Sequence, residues 1–171
     1  MDSQTNSTTG APDHGPRIVV AAGLVWLGHQ RVLVPRKPPD AAFGARALEL
    51  PGGKLERGEA PAPALRRELV EEWGAGARRL VVGPVAEVLH HVYPPPGPEV
   101  VLVVYHVDGR ALPPGPVESL GLTPEPGLTL CAFDLPALPV AEFLAADRRW
   151  IGALRDGRVR PPAWDRRLGE D

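Results

Sequence analysis

The stretch "GGKLERGEAPAPALRRELVEEWGA", residues 52–75, constrains this chain more than any other, because it sets Glu68, Glu71 and Glu72 within five positions of one another. On a helix, at about 100° per residue, the three share one narrow arc through the three- and four-residue spacings that face each other. Each like-charged pair costs about 0.2–0.5 kcal/mol on an exposed helix, so the arc is either a solvated face or one compensated by a cation. Ala62, Leu65, Leu69 and Trp73 share a second face, an apolar stripe to bury, which puts the carboxylates at the edge of a core. Pro61 and Pro63 suit only a first turn and Gly74 suits the left-handed position past the last turn. The spacing predicts a helix from about Pro61 to Trp73.

Ahead of the helix, in "LPGGKLERGE", Gly52 and Gly53 allow a close approach of the backbone and can turn amide N–H groups toward an anion such as phosphate. A hard divalent cation such as Mg²⁺ takes oxygen ligands, keeps several waters and is commonly shared between a few carboxylates and substrate phosphates. Three glutamates beside a glycine loop meet that need.

Gly53, Glu59, Arg67, Glu68, Leu69, Glu71, Glu72, Gly74 and Ala75 fall in an order and spacing that resembles the signature of the Nudix hydrolases. Every fixed polar or glycine position of that signature is filled. Ala75 alone is smaller than the usual aliphatic residue, which bears on packing rather than chemistry. The resemblance implies an α/β fold, the Nudix α/β/α sandwich with a mixed sheet, a motif loop and helix, and a C-terminal helix. It also implies hydrolysis of a diphosphate linkage in a nucleoside diphosphate derivative with Mg²⁺ or Mn²⁺. Carried over by position, Glu68, Glu71 and Glu72 resemble the metal ligands, with Glu68 or a neighbour near the attacking water; the general base stays open. Arg67, four before Glu71, is placed to orient a motif carboxylate. Glu59 is placed to hold the loop against the helix start. Gly52, Gly53 and Lys54 belong to the phosphate-facing turn. Members that only bind nucleotides typically lose motif glutamates, and all are present here.

A chain of 171 residues with 43% hydrophobic content supports one domain. Its net charge of −2 provides no basic field for duplex nucleic acid, so phosphate recognition must be local. Cys131 is the single cysteine, which precludes an intrachain disulfide and points to a reducing cytoplasm; within "LTLCAF" it reads as a buried, inert thiol. Neither a signal peptide nor a membrane span is expected, since no apolar run is long enough. A monomer or a homodimer fits equally.

Along the chain, residues 1–16 read as a disordered tail, 17–156 as the Nudix domain and 157–171 as a loose C-terminal tail. "RIVVAAGLVWLGHQRVLVPRK" predicts a hairpin turning at Gly28-His29-Gln30. Strands are expected near 79–82, 85–93 and 99–107, the last two as a second hairpin, and another in "LTLCAFDL". "VAEFLAADRRWIGALRDG" is amphipathic and predicts a helix.

Substrate choice lies outside the motif. Arg36 or Lys37, ending the first hairpin, is placed to reach a substrate phosphate or simply to be a solvated strand end. Glu118 and Glu125 lie in a loop where relatives often supply a further carboxylate, and read better as solvated acids. His90 and His91 alternate faces, so at most one faces a cleft. "FLAADRRW" resembles the start of the last helix of mutator-type members; by that analogy Asp147 accepts bonds from a base such as cytosine or guanine, unless it caps the helix. A His at 90 and 91, where ADP-ribose hydrolases carry Pro, argues against that subfamily. Tyr93 falls near the tyrosine spacing of dinucleoside polyphosphate hydrolases. Length and "AADRRW" favour a nucleoside triphosphate diphosphatase releasing a monophosphate and pyrophosphate, over hydrolysis of nucleotide sugars, ADP-ribose or dinucleoside polyphosphates.

Overall fold

A computed structural model describes residues 15–164. Its first strand, β1 (Arg17–Trp26), shows why the domain has layers: successive side chains of a strand point to opposite faces. Ala21 and Val25 enter one core with Ala64, Leu65, Leu69 and Trp73, while Ala22, Leu24 and Trp26 enter a second with Trp150, Ile151 and Leu154. The first set belongs to α1 (Pro61–Trp73) and the second to α2 (Ala145–Arg155), so one helix covers each face of the sheet. This is the expected α/β/α sandwich.

The sheet runs β4-β5-β1-β2-β6, where β2 is Arg31–Arg36, β4 is Val81–Val92, β5 is Glu99–Asp108 and β6 is Thr129–Asp134. β1 and β5 are parallel and the other pairs antiparallel, which makes the sheet mixed. β1 pairs with β2 only through Val25↔Leu33 and Trp26↔Val32. Upstream, the same edge of β1 pairs with the short strand β3 (Gly52–Lys54) through Val20, Ala21 and Ala22. The glycine loop is thereby built into the sheet. Gly52, at φ +138, sits where a Cβ would meet the Ala21 carbonyl oxygen, so only glycine allows β3 to lie this close to β1.

α1 begins and ends where its prolines and Gly74 dictate, with Gly74 at φ +76. Both hairpins form. The expected break between strands near 82 and 85 does not: β4 is one strand with irregular register around Val85, preceded by a 3₁₀ turn at Ala75–Arg79. Pro84 is tolerated because β4 is an edge strand. α2 is shorter than its amphipathic run. Leu144 N–H donates to Leu48 O and Leu48 N–H to Glu142 O, while Phe143 is fully buried, so this part of the chain is held extended and the helix starts only at Ala145.

Residues 1–14 and 165–171, most of the two expected tails, lie outside the described residues. From 157 onward the chain packs: Val159 and Trp164 lie against the α2-side core, and the Arg110 guanidinium carbon is 5.7 Å from the Trp164 ring centroid. Burial of an indole, invisible to local composition, draws this segment onto the domain. Among the described residues, no helix is long and apolar enough to cross a membrane.

One buried polar pair makes a prediction. Trp26 Nε1 donates to His106 Nδ1 at 3.0 Å inside the domain, so the ring must be neutral at that nitrogen. Burial lowers the His106 pKa below its ordinary 6.5. The unfolded chain then binds the proton more readily than the folded one, and this stability contribution is lost as pH falls below 6.5. His106→Gln, which keeps an acceptor without titrating, should lose less stability than wild type between pH 7 and pH 5, measured by urea denaturation.

Candidate active site

β3 and α1 meet because Gly53 lacks a side chain: a Cβ there would run into the Glu68 carboxylate. The close approach read into this glycine is therefore to a motif acid. Glu68 and Glu71 are gathered by one guanidinium. Arg67 Nη1 bonds Glu68 Oε1 at 2.8 Å and Glu71 Oε2 at 3.1 Å. Its Nε and Nη2 take the two oxygens of Glu59 at 3.0 and 2.9 Å, and Nη2 also reaches the Lys54 carbonyl at 3.3 Å. Glu59 in turn accepts the Glu56 amide at 3.1 Å, which closes the loop onto the helix start. Arg67 thus orients the motif carboxylates and splints the loop. Its hydrogen bonds and the Glu56 amide hold the Glu59 carboxyl below its usual pKa.

Glu72 stands differently. Burial, followed by the charges of Glu49, Glu68 and Glu125, pushes its carboxyl up to about 8, against the opposing pull of a hydrogen bond from the Gly52 amide. The anion that this glycine amide faces is a carboxylate of the same chain. Glu72 Oε2 is buried without a hydrogen-bond partner. Such an orphaned oxygen is costly unless a cation or proton satisfies it.

Two of the acids that act on Glu72 lie outside the motif. Glu49 sits between Leu48 and Leu50, two residues before Pro51-Gly52-Gly53, and both its oxygens lie 3.2 Å from Lys37 Nζ. Its pKa is nevertheless raised, because desolvation outweighs the lysine. A charged residue flanked by leucines directly before the glycine loop was the available signal for Glu49. Glu125 reaches the site because its loop is tied to α1, with its amide donating to Glu72 O at 2.7 Å. Glu125 remains an exposed loop acid, as its sequence context suggests, but its charge acts on Glu72. Among the described residues, no three His, Cys, Asp or Glu side chains form a ready-made metal cage. The unliganded acids repel one another, and Arg67 holds Glu68 and Glu71.

Beside the acids lies a cavity of about 450 Å³ whose floor is Val20, Ala22 and Leu102 of the sheet. Gly52, Gly53, Lys54 and Glu49 border one part; Phe43, Tyr93, Leu144 and Asp147 border another. Phe43 and Tyr93 meet edge to face at 5.1 Å. Burial raises the Tyr93 pKa. Asp147 is only 2% exposed, although it lies in the first turn of α2, whose N-cap is Leu144. It is neither a helix cap nor a surface acid. Oδ2 accepts the Leu50 amide at 3.4 Å, and Oδ1 is buried without a partner. Burial, then the Glu49 charge, raises its pKa to about 7, with the Leu50 amide opposing.

The remaining sequence candidates fall elsewhere. Arg36 bonds Glu142 at 2.7 Å and the Arg46 carbonyl at 2.8 Å, away from the cavity lining. With its guanidinium committed there, Arg36→Ala should leave kcat/KM within about threefold of wild type in a steady-state assay. His90 bonds Glu99 at 2.8 Å, and the His91 ring packs against Tyr93, outside the lining. Cys131 is partly buried on β6.

The model of the NUDIX domain matches residues 16–150. The chain belongs to the Nudix family. The chain is 40% identical over 58 residues to an 8-oxo-dGTP diphosphatase of Escherichia coli K12, covering 34% of this chain and 44% of that protein. It is 42% identical over 64 residues to an RNA pyrophosphohydrolase of Brucella ovis, covering 37% of this chain and 34% of that protein. The matched stretches span less than half of either relative. Among solved structures, a MutT Nudix hydrolase from Burkholderia pseudomallei superposes with a TM-score of 0.61 at 23% identity, covering 80% of this chain and 96% of that one. The E. coli ORF135 protein superposes with a TM-score of 0.58 at 22% identity, covering 91% and 96%. These likenesses concern the fold. Two of these relatives are named as a diphosphatase and a pyrophosphohydrolase.

Proposed function

We propose that this Nudix enzyme uses Mg²⁺ or Mn²⁺ to cleave the diphosphate linkage of a nucleoside triphosphate, releasing a monophosphate and pyrophosphate. The observation that carries this reading is the union of a gathered acid site with a nucleobase-sized cavity bordered by a buried, half-partnered aspartate. The donor set fits a hard cation: it is all oxygen, and Glu72 Oε2 has no other partner. Glu68, Glu71 and Glu72 are the residues that would hold it. A divalent cation bound there offsets diphosphate charge and eases ionisation of water. Lys54, bordering the cavity beside Gly53, adds positive charge near the phosphates. In the reaction, a water oxygen bonds to phosphorus as the bridging oxygen leaves, and a carboxylate of the acid site takes the water proton.

Asp147 supplies the base contact. As a carboxylate it accepts two N–H bonds from guanine; as a carboxyl it donates to and accepts from cytosine. A pKa near neutrality permits both, whereas uracil and thymine match the carboxylate less well. The test is a panel of nucleoside triphosphates, 8-oxo-dGTP, 5′-triphosphorylated RNA, nucleotide sugars, ADP-ribose and dinucleoside polyphosphates, assayed with Mg²⁺ for released phosphate and pyrophosphate. Hydrolysis strongest on a guanine or cytosine triphosphate is expected. No metal-dependent release from any member would overturn the proposal.

A further inference from the structure

The loop that carries Glu125 has to be held against repulsion, since it brings a carboxylate to within reach of the charges on Glu72 and Glu49. Its grip on the domain is visible. Thr123 and Glu125 donate their amides to the carbonyls of Trp73 and Glu72, at 2.8 and 2.7 Å, and so serve the open end of α1 from a distant part of the chain. The loop crosses there at a pinch. Gly76, in the 3₁₀ turn after α1, lies where a Cβ would collide with the Gly121 carbonyl oxygen. Gly121, at φ +67, lies where a Cβ would meet Arg79 Nη2 at 2.5 Å. Arg79 closes the pinch: Nη2 donates to the Leu120 and Gly121 carbonyls at 3.3 and 3.1 Å, and Nε donates to Gly76 O at 3.3 Å.

We infer that Arg79 is a positioning residue, which clasps the 120–125 loop to the end of α1 and thereby holds Glu125 at the cation site. Among the described residues no carboxylate bonds this guanidinium; its bonds go to backbone carbonyls, which is how a side chain fixes a loop's path rather than a charge. The clasp grips Gly121, four residues before Glu125, and the two amides between them and α1 carry the register onward. The inference rests on the proposed acid site and adds to it a residue outside the motif that acts only through Glu125.

The test is Mn²⁺ binding to the whole chain without nucleotide, followed by the electron paramagnetic resonance signal of the free ion. Arg79→Ala should weaken binding by about tenfold, the effect typical of losing a group that orients a ligand. In a Glu125→Gln background the same substitution should change binding by less than about twofold, because its route to the metal is already cut. Gly76→Ala, which forces the loop off from the other side, should weaken binding similarly and carries the test if Arg79→Ala does not fold. A lowered melting temperature with unchanged Mn²⁺ affinity, or equal weakening in both backgrounds, overturns the inference. Wild-type protein that holds no Mn²⁺ overturns it together with the metal reading. Metal binding that responds as expected, with no hydrolysis of the nucleotide panel, removes the triphosphatase reading and leaves the clasp standing.

Discussion

Glu72→Gln is expected to cut turnover by about two orders of magnitude or more while the fold stays intact. The reason is that the glutamate is expensive to keep in the unliganded protein. Burial and three neighbouring acids raise its pKa to about 8, so near neutral pH it stands mostly protonated until a cation displaces the proton. Its folded pKa lies above the ordinary 4.5, so the folded state binds more protons in between. The contribution of Glu72 to the stability of the cation-free protein is therefore fullest below pH 4.5 and falls as pH rises toward 8. Glutamine has the same shape and no titration. The variant should match or exceed wild type in melting temperature at pH 8 without metal, and its stability should lose this part of the pH slope. Apparent metal affinity of wild type should rise from pH 6 to pH 8 as the proton is released more easily. Near-wild-type turnover at saturating Mg²⁺ would sink the role given to Glu72.

Asp147 should show its importance in two separate measurements. With a folded pKa of about 7 against an ordinary 3.8, its contribution to stability is present below pH 4 and lost as pH rises through 7. Asp147→Asn removes that loss and should stabilise the free protein at pH 8 by about 2–4 kcal/mol, read from urea midpoints, with little gain at pH 4. The same buried oxygens should matter in the opposite sense to specificity. Asp147→Ala is expected to lower the preference between the best base and its closest rival by about 1–3 kcal/mol in kcat/KM, with little change on the poorer substrate. A base preference that survives the substitution would leave Asp147 as a buried acid with no part in recognition.

How far the chain could be read from its residues follows from which interactions are local. α1 was legible to the residue because prolines, an apolar stripe and Gly74 all act within a few positions of the helix itself. The two hairpins were legible because turn residues separate β-branched runs. The acidic arc and Arg67 were legible because helical spacing places them side by side.

What failed to show in the residues depended on distant partners. α2 starts at Ala145 rather than earlier because Leu48, remote in sequence, holds the residues before it extended, and β4 runs unbroken because β5 pairs across its irregularity. Glu125 looks like any loop acid until two amides pin its loop to α1. Glu49 becomes a site residue only when the glycine loop joins the sheet. Gly53 invites a phosphate in sequence, yet its bare face is taken by Glu68. The sequence by itself determined the family, because the motif's glycines, Arg67 and glutamates lie within one short, locally spaced stretch. Only the tertiary structure decided which acids are buried, and so which carry displaced pKa values, because desolvation is set by packing from all sides and a sequence window sees one.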